Sequence, residues 1–288
     1  MRQSKLVKLF LALDKIELRY FKKYLQSSLH HSHKESTQLF DFLLHKRSLT
    51  DISLQKTRAW HHVFGNKSYE DHKMRSLMNT SFETLKNFVG IFHTLSDEFS
   101  QRHTLIKALI QKNQLSIAQK EWGSLRAQVE AETVHSAAHF HRQFQLESLQ
   151  FELAGTQERT ASNNLSQIFD HSANYFMIQT LRYACIGLSH SNVSSITYEV
   201  PLLQAILDHL SQQEAHAPPS IQLFYFTYLA LAHQDVEAFS KLKRSFSIHR
   251  DRLPVKQQHE LLIMAINFCI KRLNTGDRVY AKEAFALY

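Results

Sequence analysis

The chain contains very few of the residues that interrupt helices. Its 288 residues include 6 Gly and 4 Pro, whereas average proteins contain roughly 7% and 5% of these residues. β-rich folds and nucleotide-binding α/β folds need them in their many turns. Apolar residues make up 43% of the chain, which is enough for a substantial core. The sequence therefore predicts an all-α protein of long helices joined by short loops.

The wide separation of the glycines excludes the common phosphate-binding motifs. Even the nearest two, Gly65 and Gly90, are far apart in the sequence. The G-x-G-x-x-G fingerprint, the P-loop and the nucleophile elbow all need clustered glycines, because backbone must approach phosphate or turn sharply there. We therefore expect no cofactor, no catalytic residues and no enzymatic activity. An unrecognised active site built on helices is the remaining enzymatic hypothesis.

Positive charge is concentrated near the N-terminus. The formal net charge is +8, and residues 1–50 hold ten basic and four acidic residues. Four basic residues share one face of a helix predicted to begin at Asp14: Lys15, Arg19, Lys22 and Lys23. Tyr20 and Tyr24 could stack on bases beside them. This face predicts anion or nucleic-acid contact, with a solvated face and packed tyrosines as the alternative. A membrane partner is not expected, because the helix needs its apolar side in the core.

Histidine and cysteine are the residue types that raise the question of metal binding. His135 and His139 lie one helical turn apart, and residues 30–33 include three histidines. Residues 259–263 begin like the H-E-x-x-H motif but lack its second histidine. Without clustered cysteines or carboxylates, we expect no metal site. Cys185 and Cys269 lie in apolar helical sequence and are predicted to be buried, reduced thiols, with a disulfide between them as the alternative.

Local signals predict an N-terminal helical module over residues 1–97. Its helices are expected near residues 5–13, 14–25, 36–45, 53–63 and 71–99. Asp14 and Glu17 have capping-box spacing, and Gly65 suits a left-handed position after the fourth helix. Residues 68–71 are expected to cap the fifth helix, in which Asp71 and Arg75 are spaced for an ion pair.

Residues 98–288 show a rough repeat. Polar breaks fall near Asn113, Gly155, Asn192, Asp235 and Gly276. The spacing of roughly 40 residues resembles that of solenoids built from helix pairs, so each interval is predicted to hold two helices. A small residue followed by an aromatic one, such as Ala118 and Trp122, is typical of closely paired helices. We therefore predict a tetratricopeptide-like solenoid, with a non-repetitive helical bundle as the alternative.

Individual helices of this region also have clear patterns. An apolar stripe at helical spacing begins at Leu115 and ends at Val129. Leu105 and Phe151 are expected on the apolar sides of their helices. Residues 221–231 are apolar nearly all round, which predicts a helix buried between neighbours. Prolines support two further predictions. Pro201 is expected at the first position of a helix, and residues 217–220, which include two prolines, are expected to form a turn between helices.

Three stretches carry a resemblance to a known family. They are ELRYFKKYLQS (17–27), Phe64-Gly65 followed by Tyr69, Asp71, Lys73, Arg75, Leu77 and Met78, and AINFCIKR (265–272) followed by Asn274 and Gly276. Together they resemble an uncharacterised bacterial family of long helical-repeat proteins. The resemblance implies an all-helical, tetratricopeptide-like fold and no known catalytic activity. Similar proteins continue with more helix pairs, so the solenoid is expected to be truncated at the C-terminus.

These observations lead to two functional hypotheses. A stacked solenoid offers an extended concave surface for a peptide or a partner protein, which predicts a non-enzymatic protein-interaction scaffold. The alternative is a nucleic-acid-binding regulator that uses the basic N-terminal helices. No apolar run approaches the ~18 residues of a membrane span. Together with two reduced thiols, this predicts a cytoplasmic location.

Overall fold

The structure, a computed structural model, describes residues 1–27, 34–45, 54–155, 164–191, 194 and 196–287. Within these residues the chain forms helices, turns and loops and contains no strand, which confirms the all-α prediction. The chain divides into two compact units, Met1–Gln101 and Arg102–Tyr288. Each unit is described separately below.

The first unit is organised around one long helix. Its helices are α1 (Lys5–Ala12), α2 (Lys15–Leu25), α3 (Lys34–Leu44), α4 (Lys56–Phe64) and α5 (Asp71–Ser96). Helices α1, α2 and α3 all pack against α5, and α4 packs against α3. The arrangement buries one side of α1, α2 and α3 against a common support, while α4 lies against α3.

Aromatic side chains fill the core of the first unit. Phe21 of α2 is fully buried and meets Phe40 of α3 edge-on, with ring centroids 4.6 Å apart. Its ring also lies 5.0 Å from that of Phe88 on α5. Trp60 of α4 is likewise fully buried, and its Nε1 donates a 2.9 Å hydrogen bond to the carbonyl of Lys67. These contacts tie α2, α3 and α4 to the rest of the unit.

Two helix boundaries of the first unit confirm the sequence predictions. Asp14 Oδ1 accepts hydrogen bonds from the backbone N–H groups of Ile16 and Glu17 at 2.7 and 2.8 Å, and Glu17 Oε2 accepts one from the Asp14 N–H at 2.8 Å. This is the predicted capping box. Gly65 follows α4 with φ +68°, a left-handed conformation that favours glycine.

Helix α5 begins at residue 71 as predicted, but its predicted side-chain cap and its predicted C-terminal end are wrong. The N-cap is Glu70, without a capping side chain, and Asp71 is the first helical residue. The Asp71 carboxylate is instead bonded to Lys56 and Tyr69, so it does not cap the helix. The helix ends at Ser96, because Asp97 is extended and a new helix begins at Glu98.

Among the described residues, nine α-helices belong wholly or partly to the second unit. They are α6 (Glu98–Gln111, which contains the boundary), α7 (Leu115–Glu130), α8 (Ala137–Gly155), α9 (Leu165–Ser191), α10 (Leu203–Gln213), α11 (Pro219–His233), α12 (Val236–His249), α13 (Val255–Asn274) and α14 (Val279–Leu287). Helices α7, α8 and α9 pack in chain order. Helix α11 then packs against α9, α12 and α13, and α14 packs against α13.

The buried positions of the second unit follow the sequence pattern in most places. Helix α11 is buried on nearly all sides, as predicted, whereas the predicted turn before it is confined to Ala217 and Pro218, because α11 begins at Pro219. Trp122 of α7 is 6% exposed, and its Nε1 donates a 2.9 Å hydrogen bond to the carbonyl of Leu146 on α8. Leu105 and Phe151 contradict the pattern, because they are 47% and 41% exposed.

The predicted pairing of helices fails between Gly155 and Asn192. The described part of this interval holds one 27-residue helix, α9. This helix contains no proline, and its one glycine, Gly187, lies near the C-terminal end, so nothing interrupts it. Asn192 and the histidines of residues 30–33 lie outside the described residues. Pro201 is not a first helical residue either, because α10 begins at Leu203 after Leu202, which has φ +60°.

Candidate interaction surfaces

The basic face lies on α2 and is open to solvent. It comprises Lys15, Arg19, Lys22 and Lys23, all of which are exposed. None of the four forms an ion pair with another described residue. Helix geometry places them within one broad side of α2, since Arg19, Lys22 and Lys23 follow Lys15 by four, seven and eight residues. The four charges are therefore available to an anionic partner.

The two tyrosines of α2 have different surroundings. Tyr20 is 44% exposed, and its ring centroid lies 5.8 Å from the Arg19 guanidinium and 5.5 Å from the Lys23 ammonium. Tyr24 is half-buried, its ring lies 5.5 Å from that of Phe88, and burial raises the pKa of its hydroxyl. Tyr20 alone is therefore placed for stacking, whereas Tyr24 belongs to the core.

A groove in the second unit lies between α12, α13 and α14. Its volume is about 710 Å³. Its floor is apolar and comes from α12 and α13: Leu242, Phe246, Leu261, Leu262 and Ala265. Leu242 and Leu261 are buried, whereas Phe246 and Leu262 keep part of their surface exposed to the opening. We call this site the α12–α14 groove.

Charged pairs border the α12–α14 groove. Lys243 Nζ lies 2.6 Å from Glu283 Oε2, which joins α12 to α14. Arg250 and Asp251 form a longer contact of 3.6 Å, with side chains 61% and 93% exposed. Cation and anion are thus both present at the border, while the floor offers apolar surface. Such a site suits a partner with apolar side chains on one face and polar groups around them.

Sequence analysis missed the groove, although one signal points to it. Leu261 and Leu262 are adjacent on α13, so they point about 100° apart and cannot both face the same core. Leu261 is 1% exposed and Leu262 is half-buried. Leu262, beside the core residue Leu261, therefore indicates apolar surface outside the core. That surface becomes part of a groove only because α12 and α14 pack beside it.

The structure brings His135 and His139 together, but they do not share one helix as predicted, because α8 begins at Ala137 and His135 lies in the segment before it. The rings of His135 and His139 stack with centroids 4.7 Å apart. His139 Nδ1 lies 2.9 Å from Glu132 Oε2, and Arg142 Nη1 donates to Glu132 Oε1 at 2.6 Å. Burial, followed by the neighbouring His139, lowers the pKa of His135. Within the described ranges, no three His, Cys, Asp or Glu side chains are grouped to hold a metal ion.

Asp71 is the centre of a small polar network. Its carboxylate contacts Arg75 Nε at 2.6 Å, which confirms the predicted ion pair, and also contacts Lys56 Nζ at 2.8 Å and the Tyr69 hydroxyl at 2.7 Å. The hydrogen bond from Lys56, followed by that from Tyr69, lowers the pKa of Asp71 to about 2. Desolvation and the bond to Asp71 raise the pKa of Tyr69 to about 12. The network joins α4 to α5, so its role is structural.

Both cysteines are buried and unpaired, as the sequence predicts. Cys185 lies on α9 and Cys269 on α13. Burial raises the pKa of each thiol, to about 11 for Cys269.

None of the described helices has the length and apolar character required to cross a bilayer.

Comparisons with protein-family models, with curated proteins and with solved structures find no match to this chain. Function is therefore inferred from the surfaces of the chain itself.

Proposed function

We propose that this protein is a non-enzymatic interaction scaffold that binds a peptide segment of a partner protein in the α12–α14 groove. The observation that carries the proposal is the half-open apolar floor of this groove, where Phe246 and Leu262 face the opening. Apolar surface gathered in a concave site favours burial by a ligand. A cytoplasmic location and a tetratricopeptide-like arrangement of the helix pairs belong to the same proposal.

The chemistry of the groove defines the class of ligand. The floor offers aliphatic and aromatic surface, which suits two or three apolar anchor residues on one face of a helical peptide. Arg250 and Asp251 at the border are exposed and of opposite charge. They set the orientation of a peptide that carries both charges more than they add affinity. The ligand is therefore an amphipathic segment rather than a highly charged one.

The test selects peptides against the full-length chain and then blocks the groove. A library of random peptides is panned on the protein, and selected peptides are measured by fluorescence anisotropy. Ser247 is exposed and lines the groove, so Ser247→Trp fills it without disturbing the core. The matched control is Ile248→Trp, because Ile248 is 65% exposed and does not line the groove.

We expect Ser247→Trp to weaken peptide binding at least about tenfold, equivalent to about 1.4 kcal/mol, and Ile248→Trp to leave it unchanged. A second matched pair is Leu262→Glu and Ile263→Glu. Leu262 lines the groove, whereas Ile263 is 59% exposed and lies outside it. Circular dichroism establishes that each variant is folded. Failure to select any peptide, or binding that Ser247→Trp does not change, would contradict the proposal.

A second candidate function is the binding of nucleic acid by α2. It is favoured by the four exposed cations without ion-pair partners among the described residues and by the exposed ring of Tyr20. Each phosphate that a lysine or arginine neutralises releases counterions, so affinity would fall steeply with salt. This candidate uses the first unit and is independent of the groove.

Its test uses a labelled single-stranded oligonucleotide at several salt concentrations. Replacing Lys15, Arg19, Lys22 and Lys23 by Glu is expected to abolish binding. The control makes the same change in net charge at four exposed basic residues of the second unit: Arg244, Lys256, Arg278 and Lys282. Binding that does not depend on salt, or that both quadruple variants reduce equally, would remove this candidate.

A further inference from the structure

Helix α9 presents a row of exposed aromatic side chains. Phe169, Phe176 and Tyr183 follow each other at intervals of seven residues and are 66%, 46% and 58% exposed. Intervals of seven place them on one line along the helix. Exposed aromatic residues in such a row mark an interaction surface rather than scattered surface residues.

Small residues alternate with the aromatic residues on the same line. Ala173, Thr180 and Gly187 each follow an aromatic residue by four positions. The spacing of four and three is that of a coiled-coil seam. We call this line, from Phe169 to Gly187, the α9 seam.

The α9 seam faces away from the core of the second unit and contains no charged residue. The opposite side of α9 carries its buried residues, Ile178, Leu181, Ala184 and Cys185. The helix contains two formally charged residues, and neither belongs to the seam. Arg182 is bonded to Glu260 of α13, and its guanidinium also lies 5.2 Å from the ring centroid of Tyr183 at the border of the seam. Asp170 is exposed beside the seam. An apolar face without charged residues fits an apolar partner and provides no electrostatic attraction for a nucleic acid or an acidic peptide.

The order of large and small residues makes the α9 seam complementary to itself. If two copies of α9 run antiparallel around an axis at the level of Ile178, Phe176 of one lies opposite Thr180 of the other, and Tyr183 lies opposite Ala173. Both pairs occur twice, as in an isologous dimer. A parallel pairing would place large residues against large ones and leave gaps between the small ones.

At each end of the seam a large residue again lies opposite a small one, and the ring of Tyr198 adds a further contact. Phe169 of one copy falls opposite Gly187 of the other. The ring of Tyr198 packs on Gly187, where an added Cβ would lie 3.4 Å from the tyrosine Cδ2. Tyr198 is 51% exposed, and its hydroxyl lies 2.7 Å from His190 Nδ1. Phe169 therefore meets the exposed ring of Tyr198, and aromatic pairs of this kind are favourable.

The aromatic residues of the α9 seam supply part of the area that a dimer buries. A fully covered aromatic side chain buries about 150–250 Å². At their exposed fractions, the three aromatic residues offer roughly 250–400 Å² per copy. Two copies thus reach about a third to a half of a standard interface before Tyr198 and the flanking residues are added.

We propose that the protein forms an antiparallel homodimer through the α9 seam, with Phe176 and Tyr183 packing on Thr180 and Ala173 of the second copy. The dimer does not depend on the peptide-binding function, because the seam lies on α9 and the groove on α12–α14. Variants at one site are expected to leave the other unchanged.

Analytical ultracentrifugation of the full chain tests the dimer. The protein is expected to change from 33.6 kDa to twice that mass as its concentration increases toward about 100 µM, a range that covers weak association. Phe176→Glu is expected to weaken association at least about tenfold. Ile248→Glu, which makes the same kind of change at a residue 65% exposed on α12, is expected to have no effect.

A distance measurement tests the orientation. The native thiols are buried, so a spin label on Ser166→Cys, at an exposed position of α9, is selective. In the antiparallel dimer the two labels are separated by about 36 Å along the helix axis, at 1.5 Å per residue. A monomeric mass at all concentrations, a dimer that Phe176→Glu leaves intact, or labels side by side would overturn the proposal.

Discussion

The ion pair between Arg182 and Glu260 allows a quantitative prediction about the stability of the second unit. Arg182 of α9 donates to both carboxylate oxygens of Glu260 on α13, at 2.7 and 2.6 Å. The side chains are 15% and 19% exposed. The hydrogen bonds from Arg182 hold the pKa of Glu260 below its usual value. Residues far apart in the sequence are thus joined by a well-aligned and partly buried pair.

Glu260→Gln keeps the size of the side chain and removes its charge. A hydrogen bond to a charged group contributes about 1.5–3 kcal/mol, and removal of one partner from a fully buried pair costs about 3–5 kcal/mol. Because this pair keeps some contact with water, we expect a loss of about 2 kcal/mol in the free energy of unfolding. The control is Glu237→Gln on α12, where an 82% exposed carboxylate lies 3.8 Å from Lys241. It is expected to cost less than about 0.5 kcal/mol.

The two cysteines provide an assay specific to the second unit. Cys185 and Cys269 lie on α9 and α13, the same helices that the ion pair joins. Both thiols are buried, so a thiol reagent reacts only with open molecules. When opening and closing are fast, the rate of labelling follows the open population. A loss of about 2 kcal/mol then increases the rate roughly thirtyfold. Equal rates for wild type and Glu260→Gln would refute the reasoning.

Three further predictions concern pH and local geometry. The pKa values of three histidines of the second unit are lowered, and burial is the largest cause in each case: His103, His135 and His171. The folded state therefore binds fewer protons than the unfolded state near pH 6.5, and stability is expected to fall as the pH is lowered from about 7 through the folded pKa values. Urea unfolding at several pH values checks this, and stability that rises on acidification through this range would contradict it. Asp71→Asn is expected to lower the pKa of Tyr69 from about 12 toward 10, as ultraviolet titration would show; an unchanged titration would mean that Asp71 does not act on Tyr69. Gly65→Ala is expected to destabilise the first unit by about 1 kcal/mol, because φ is +68° there; equal thermal unfolding midpoints for variant and wild type would argue against strain at that turn.

Local sequence signals predicted the features that depend on neighbouring residues. The capping box of Asp14 and Glu17, the left-handed Gly65 and the buried α11 follow from short-range geometry and from the pattern of apolar residues. The Asp71–Arg75 pair follows from helical spacing. These interactions form within one or two helical turns, so a single sequence is sufficient to identify them.

Features that depend on packing were not predictable in the same way. The polar residues around Gly155 and Asn192 suggest a pair of helices, yet the described part of this interval is the single helix α9. The α12–α14 groove needs three helices that approach one another, and no local pattern encodes that approach. The basic residues of α2 could be chosen from the sequence, whereas the burial of Tyr24 depends on Phe88, which is far away in the chain.

Hydrogen exchange on the full chain, with and without a peptide selected by panning, tests the proposed function most directly. Binding in the α12–α14 groove predicts slower exchange in residues 242–251, 261–265 and 283–286, with α2 unchanged. Protection confined to α2 or α9, or no protection at peptide concentrations that saturate binding, would contradict it.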